Sequence, residues 1–313
     1  MNPHKQEVCA LYKPLVIIKK MKSSIELIRL IAVILIVFTH TRNELEDGLA
    51  YFIVQRIPTF GTAILSIISG YLYFEISQHK KNLFFKKIKS LAIPYLIANI
   101  TVLLLVLFAY YFFGYDTLNR LNFDFTLITE GIFSFNSAPI NPPTYFIRDI
   151  FIIFSIIALV TQKEFKTLFV IIPYLLIGTL ILRLDVAFLF LIGVLYSKYN
   201  YNLNKKFLII TTIITSIILS IFYNDFLKFS LSFLVFILLI DVQFRFFNTG
   251  RFSYLLHLYH SPIIVISYPL LSPFIENPII KIIAQILIAL FFVYLLFLIT
   301  KKFTFLKVLS GGR

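Results

Sequence analysis

The sequence predicts an all-α fold, a polytopic membrane bundle of about ten transmembrane helices with both termini cytoplasmic. Composition, a series of apolar segments and the placement of basic residues predict it. Of 313 residues, 59% are hydrophobic, 17% aromatic and only 14% charged, with mean hydropathy +0.90. A soluble domain carries about 45–50% apolar and about 25% charged residues, so this chain lacks the polar material to cover a soluble surface. The net charge of +14 therefore does not indicate a nucleic-acid partner, because the basic residues have no broad soluble face to sit on. One cysteine, Cys9, excludes a disulfide framework or a cysteine-built metal site.

A span needs about 20 mostly apolar residues, fewer where a short helix thins the bilayer. Ten segments qualify: 24–41, 57–75, 91–113, 144–161, 167–182, 185–197, 207–223, 226–240, 252–271 and 279–300. The stretches 95–113 and 282–300 hold no charge. Segments 167–182 and 185–197 are open to fusion into one long helix across Arg183 and Asp185, and 207–223 and 226–240 are split around Asn224 and Asp225. Lysine and arginine collect on the cytoplasmic side of membrane proteins. With the N-terminus inside, 21 of the 29 basic residues fall in the tail, 76–90, 162–166, 198–206, 241–251 and the C-terminus. Fusing 167–197 would send Lys198, Lys205 and Lys206 outward. Ten spans are the consistent count.

Residues 1–22 read as a basic cytoplasmic tail whose one apolar run is too short and wrongly flanked for a cleaved signal peptide. Met21 precedes the first span and is an alternative start. Residues 23–313 read as one membrane domain. The longest outer segment, 114–143, carries Phe123, Phe125, Leu127, Ile128, Ile132 and Phe133, which suits packing at the membrane surface.

Ionisable groups inside spans are costly and mark function by default. The first segment carries Glu26, Arg29 and His40. Arg29 and His40 are 11 positions apart, so at about 100° and 1.5 Å per residue they share a face about 16 Å apart along the axis. Snorkelling to the two interfaces is the plain alternative for both. Ser69-Gly70 in the second span reads first as close helix packing. The segment 78–94 holds Lys80, Lys81, Lys86, Lys87 and Lys89 among phenylalanines. It reads as a loop for anionic lipid or a polyphosphorylated ligand, with Pro94 just inside the third helix. Arg148 and Asp149 begin the fourth span; adjacent positions do not face each other on a helix, so each is expected to have its own partner. His257 and His260 are neighbours at i and i+3 in the ninth span. Two histidines at that spacing could bind a metal, though no HExxH or carboxylate companion supports it; polar packing and the lining of a site are the other two readings.

Together these segments resemble the acyltransferase-3 family, ten-helix membrane enzymes that O-acylate bacterial surface polysaccharides and related acceptors. The resemblance runs from about Ser24 to the C-terminus. It is carried by Ile28-Arg29-Leu-Ile-Ala32 with His40, by Ile68-Ser69-Gly70-Tyr71-Leu72, and by the basic run ending in Leu91-Ala-Ile-Pro94-Tyr95. Tyr145-Phe-Ile-Arg148-Asp149 and Phe252-Ser-Tyr-Leu-Leu-His-Leu-Tyr-His260 complete it.

The resemblance implies His40 as the catalytic histidine, Arg29 as its companion, and Ser69 and Gly70 as parts of the site. It implies Lys87 at a position often held by arginine, and His260 rather than His257 as the family histidine. The chain departs in having Tyr145-Phe146 where tryptophan-phenylalanine is common, and lysines where arginines are usual. No fused hydrolase-like domain is expected after the tenth span. The implied donor is acyl-CoA, commonly acetyl-CoA, as a substrate with no tightly bound cofactor and no metal. Lys86, Lys87, Lys89, Ser69, Gly70, Arg148 and His260 would bind the substrates. His40 would act as base or transient acyl carrier toward a glycan or lipid-linked sugar hydroxyl, in the inner membrane of a bacterium. Membrane lipids are the other partners. A secondary transporter or lipid-linked glycan exporter is the rival reading from another class, suited by broken helices near 183 and 224.

Overall fold

Helix starts and stops fall where polar and positive-φ residues interrupt the apolar runs. The computed structural model describes residues 23–115, 118, 120–199, 204–242 and 249–312. The basic tail 1–22, with Cys9 and the alternative start at Met21, lies outside the described residues, as do parts of the basic segments 198–206 and 241–251.

Ten helices of ten or more residues occur among the described residues: α1 (23–39), α2 (Gly48–Ser77), α3 (Leu83–Phe113), α4 (Pro142–Gln162), α5 (Phe165–Ile177), α6 (Leu184–Tyr199), α7 (Lys205–Phe222), α8 (Asn224–Leu239), α9 (Gly250–Leu271) and α10 (Pro278–Lys302). Asn204 caps α7 by accepting from the Lys206 and Phe207 amides at 3.1 and 3.3 Å. Asn277 caps α10 likewise, accepting from the Ile279 and Ile280 amides, and Pro278 takes the first turn, where no N–H is needed. Gly114 closes α3 at φ +68, a left-handed conformation open to glycine at no steric cost.

The breaks at 178–183 and 223 are real, so 167–197 is two helices. Six helices, α2, α3, α4, α7, α9 and α10, are long and apolar enough to cross a membrane; α1, α5, α6 and α8 are shorter. The protein is a membrane helix bundle with at least these six candidate spans. α7 displays the membrane environment most plainly. Its buried side chains are Thr212 and Ser216, while Ile210, Ile213, Ile214, Ile217, Ile218 and Ile221 face outward. Such an inverted face is stable only against lipid tails, where hydroxyls turn inward to bond neighbours; Ser216 Oγ meets Ser230 Oγ of α8 at 3.0 Å.

Two expectations need correction. The basic run 78–94 is not a loop beyond Asn82: α3 starts at Leu83, so Lys86, Lys87 and Lys89 are helical, and Pro94 lies well inside the helix rather than at its start. A wider π-helical turn over Ile88–Ala92 precedes the proline and accommodates the ring, which would otherwise clash with the preceding turn. Pro94 has no N–H for the Ser90 carbonyl, and Tyr254 Oη of α9 donates to that oxygen instead at 3.0 Å. The same device recurs in α9. Pro262 leaves the Leu258 carbonyl free, and Asn141 Nδ2 donates to it at 2.7 Å. Without water to take them, freed carbonyls in a membrane need such donors.

The second correction concerns Arg148 and Asp149. They pair with each other, Nη1 to Oδ1 at 2.5 Å, with side chains 2% and 0% exposed. The arginine is long enough to fold back on its neighbour, and the two then share a target. Arg148 donates to the Thr179 and Leu180 carbonyls at 2.6 and 3.2 Å, and Asp149 accepts from the Leu182 and Arg183 amides. They brace the link between α5 and α6.

The described part of the segment 114–143 is packed and hydrogen-bonded. Arg120 donates to the Ala138 and Pro139 carbonyls, Tyr95 Oη to the Ile132 carbonyl, and Tyr174 Oη to the Phe133 carbonyl. Partial burial works against ionisation of Glu130, but hydrogen bonds from Asn136 and Ser137 outweigh it and hold the carboxyl below its usual range.

Candidate active site

α1 and α9 run side by side in the same direction, and their facing residues make the candidate site. At one end Glu26 and Arg29 form an ion pair at 3.3 Å against the start of α9. A Cβ on Gly250 would stand 3.0 Å from Glu26 Oε2 and 3.3 Å from Arg29 Nη1, so glycine lets the charged pair reach the α9 backbone. At the other end His40, in the turn that closes α1, lies beside His260, with ring centroids 5.3 Å apart. Gly250, Ser253, His257 and His260 recur at spacings of three and four, which puts them on one face of α9. His257 meets Phe146 of α4 edge-on at 5.7 Å.

A cavity of about 140 Å³ opens between α1, α2, α3, α4 and α9. At about 30 Å³ per water in the liquid, it holds four or five waters or a slender chain. Arg29, Lys87, Tyr73 and Ser77 supply polar groups; Val33, Leu65, Ile68, Leu72, Leu91, Ile147, Ile150 and Phe154 supply apolar wall; Ser253, Tyr254 and His257 line the α9 side. Lys87 Nζ sits 3.6 Å from the centre of the Phe154 ring, a cation–π contact that holds the ammonium at the wall.

The residues singled out in the sequence divide accordingly. Arg29, Lys87 and Ser69 line the cavity. His40 and His260 meet each other and lie beyond it, His260 about 4.5 Å further along the helix axis than the cavity-lining His257. Lys86 and Lys89 are exposed and do not line it. Gly70 turns away from it into the contact of α2 with α6, where a Cβ would fall 1.9 Å from the Phe190 carbonyl oxygen. Arg148 sits in its brace and does not line the cavity either.

Sequence reasoning missed Gln285 and Asn141. Gln285, completely buried in α10, accepts from the Arg42 amide at 2.9 Å and donates to the Arg42 carbonyl at 2.8 Å. It thereby clamps the backbone two residues after His40. Glu44 is tied to the same wall by Lys281 Nζ and Tyr268 Oη, both at 3.2 Å. The Lys281 hydrogen bond and charge hold the Glu44 carboxyl below its usual range. Asn141 joins α4 to α9 through the Leu258 carbonyl, and Asn99 Oδ1 accepts from the Asn141 amide at 3.2 Å. The available signal was a neutral amide in an apolar run for Gln285, and for Asn141 only an amide before two prolines in the outer segment.

Chemically, the arrangement offers the cationic groups Arg29 and Lys87 and the His257 imidazole on the wall of an apolar cavity, with the His40–His260 pair one helical turn beyond it. The family model described as Acyltransferase domain (Acyl_transf_3) matches residues 22–301. The chain belongs to the acyltransferase-3 family. No curated protein and no solved structure matches it. Acyltransferase-3 membership makes acyl transfer the activity of this membrane bundle, and no observation beyond the broken helices favours the exporter reading. Among the described residues no group of three or more His, Cys, Asp or Glu side chains is arranged to hold a metal ion.

Proposed function

We propose that this acyltransferase-3 protein moves an acyl group, acetyl in the simplest case, from acyl-CoA to a hydroxyl of a surface polysaccharide or lipid-linked glycan. It would do so in the cytoplasmic membrane of a bacterium, through ten spans with both termini inside, as the 21 of 29 basic residues on that side favour. One juxtaposition carries the reading. A cavity with Arg29 and Lys87 at its polar part has His257 on its wall, one helical turn from the His40–His260 contact.

The donor's phosphates would lie against Arg29 and Lys87, and its thioester arm along the apolar wall toward α9. Arginine offers two parallel donors to a phosphate or a developing oxyanion. His40 takes the proton of the acceptor hydroxyl as its oxygen attacks the thioester carbonyl. The new C–O bond forms, the C–S bond breaks, and the departing thiolate recovers the proton from His40. A covalent acyl-histidine is the alternative course, with the same cavity and the same donor.

Purified protein in detergent, given acetyl-CoA and a glycan acceptor, should release free CoA thiol in step with acylated acceptor. Absence of thiol release across short acyl donors and several glycans would overturn the reading. Trapping of acyl-protein by acid quench would assign the covalent course.

A further inference from the structure

Several buried polar groups outside the conventional pairings compete for attention, and His260 carries the most. It is completely buried, and its Nδ1 lies 2.6 Å from the Leu256 carbonyl oxygen, one turn back on α9. A carbonyl oxygen only accepts, so Nδ1 carries the hydrogen, and in the neutral ring Nε2 keeps its lone pair. That Nε2 is buried and has no hydrogen-bond partner. A buried acceptor left unpaired costs free energy. The ring beside it is that of His40, 5.3 Å between centroids and tilted by 54°.

We infer that His260 is a positioning residue that fixes the tautomer of His40. A turn of the His40 side chain, whose ring already lies beside it, brings one His40 N–H onto the Nε2 lone pair, which leaves the other His40 nitrogen bare to take the acceptor's proton. The chain of control runs from the Leu256 carbonyl to His260 and from His260 to His40. It is the arrangement by which a second group sets which imidazole nitrogen is basic. Two further contacts give the pair its rigidity. Asn141 holds the Leu258 carbonyl on the α9 turn that carries His260, and Gln285 clamps the backbone at Arg42 on the His40 side. The kinetic consequence of the pairing rests on the acyl-transfer reading; the pairing itself does not.

The experiment has one arm for each. In membranes containing protein labelled with ¹⁵N-histidine, solid-state NMR of wild type should show His40 as a single neutral tautomer. In H260F, which keeps the ring volume and removes the acceptor, both tautomers should appear. An unchanged His40 tautomer ratio in H260F overturns the inference. In the kinetic arm, H260F should lower kcat about 100-fold with donor KM within twofold. H260Q, whose amide oxygen reaches the place of Nε2, should recover at least tenfold over H260F, whereas H260N, which is too short, should not. If H260F fails to insert, H260N against H260Q makes the same comparison, and equal activity of the two overturns the inference. Should wild type transfer no acyl group at all, the proposed function falls while the tautomer measurement still judges the pairing.

Discussion

Replacing Gly70 or Gly193 by alanine separates a packing role from a chemical one at the Ser69-Gly70 motif. A Cβ on Gly70 would lie 1.9 Å from the Phe190 carbonyl oxygen, and one on Gly193 would lie 2.0 Å from the Ile67 carbonyl oxygen. Both obstacles are backbone, so neither is relieved by a rotamer change. Each alanine must push α2 and α6 apart by about 1 Å to reach even the tightest real contact. Overpacking of this kind costs about 1–3 kcal/mol, and here the upper end applies because the obstacle is main chain. The same separation relieves both contacts, so the double variant should cost well under the sum of the singles. Thermal unfolding in detergent gives the costs, and thiol release at low temperature gives activity. G70A should unfold earlier while keeping kcat within about tenfold, since α6 can move outward and leave the cavity wall on α2 in place. A G70A protein that unfolds like wild type yet loses activity about 100-fold or more would refute the packing assignment.

Three other outcomes follow from the geometry. K87Q should raise donor KM about tenfold, whereas K86Q and K89Q, exposed and away from the cavity, should change it less than about twofold; steady-state kinetics on the three decides. R29K should cost about tenfold or more in kcat/KM, about 1.4 kcal/mol, because lysine keeps the charge but loses the planar fork; equal kinetics would reduce Arg29 to a helix anchor. Because Lys281 depresses the Glu44 carboxyl, the stabilisation is complete above the ordinary carboxyl range and is lost as pH falls through the lowered value. Between about pH 5 and pH 3 the Tm of wild type should therefore fall more steeply than that of E44Q, and parallel curves would contradict the contact.

Much of this architecture is legible in the sequence because charge and length limit it. The breaks at Arg183 and Asn224 are visible as polar residues inside apolar runs, and the structure keeps both. The helical start at Leu83 was hidden because five lysines among phenylalanines read as a loop, whereas lysine is a good helix former and a π-turn absorbs Pro94. Arg148 and Asp149 defeat a rule about backbone directions, since a four-atom arginine stem bends back to its neighbour. The His40–His260 contact joins residues 220 positions apart, and no local pattern encodes it. Gln285 and Asn141 were missed for a related reason. An amide, in an apolar run for Gln285 and in the outer segment for Asn141, shows only that a partner exists, and the partner is a backbone group on another segment.

The most direct test of the central claim is transfer by H40A. Radiolabelled acetyl-CoA is supplied to inside-out membrane vesicles, and label is counted on the glycan fraction for wild type and for H40A at matched protein and matched Tm. General-base work by a positioned histidine contributes about 10²–10⁴-fold. Loss of transfer within that range, with Tm unchanged, is the result predicted; wild-type transfer by H40A would contradict it.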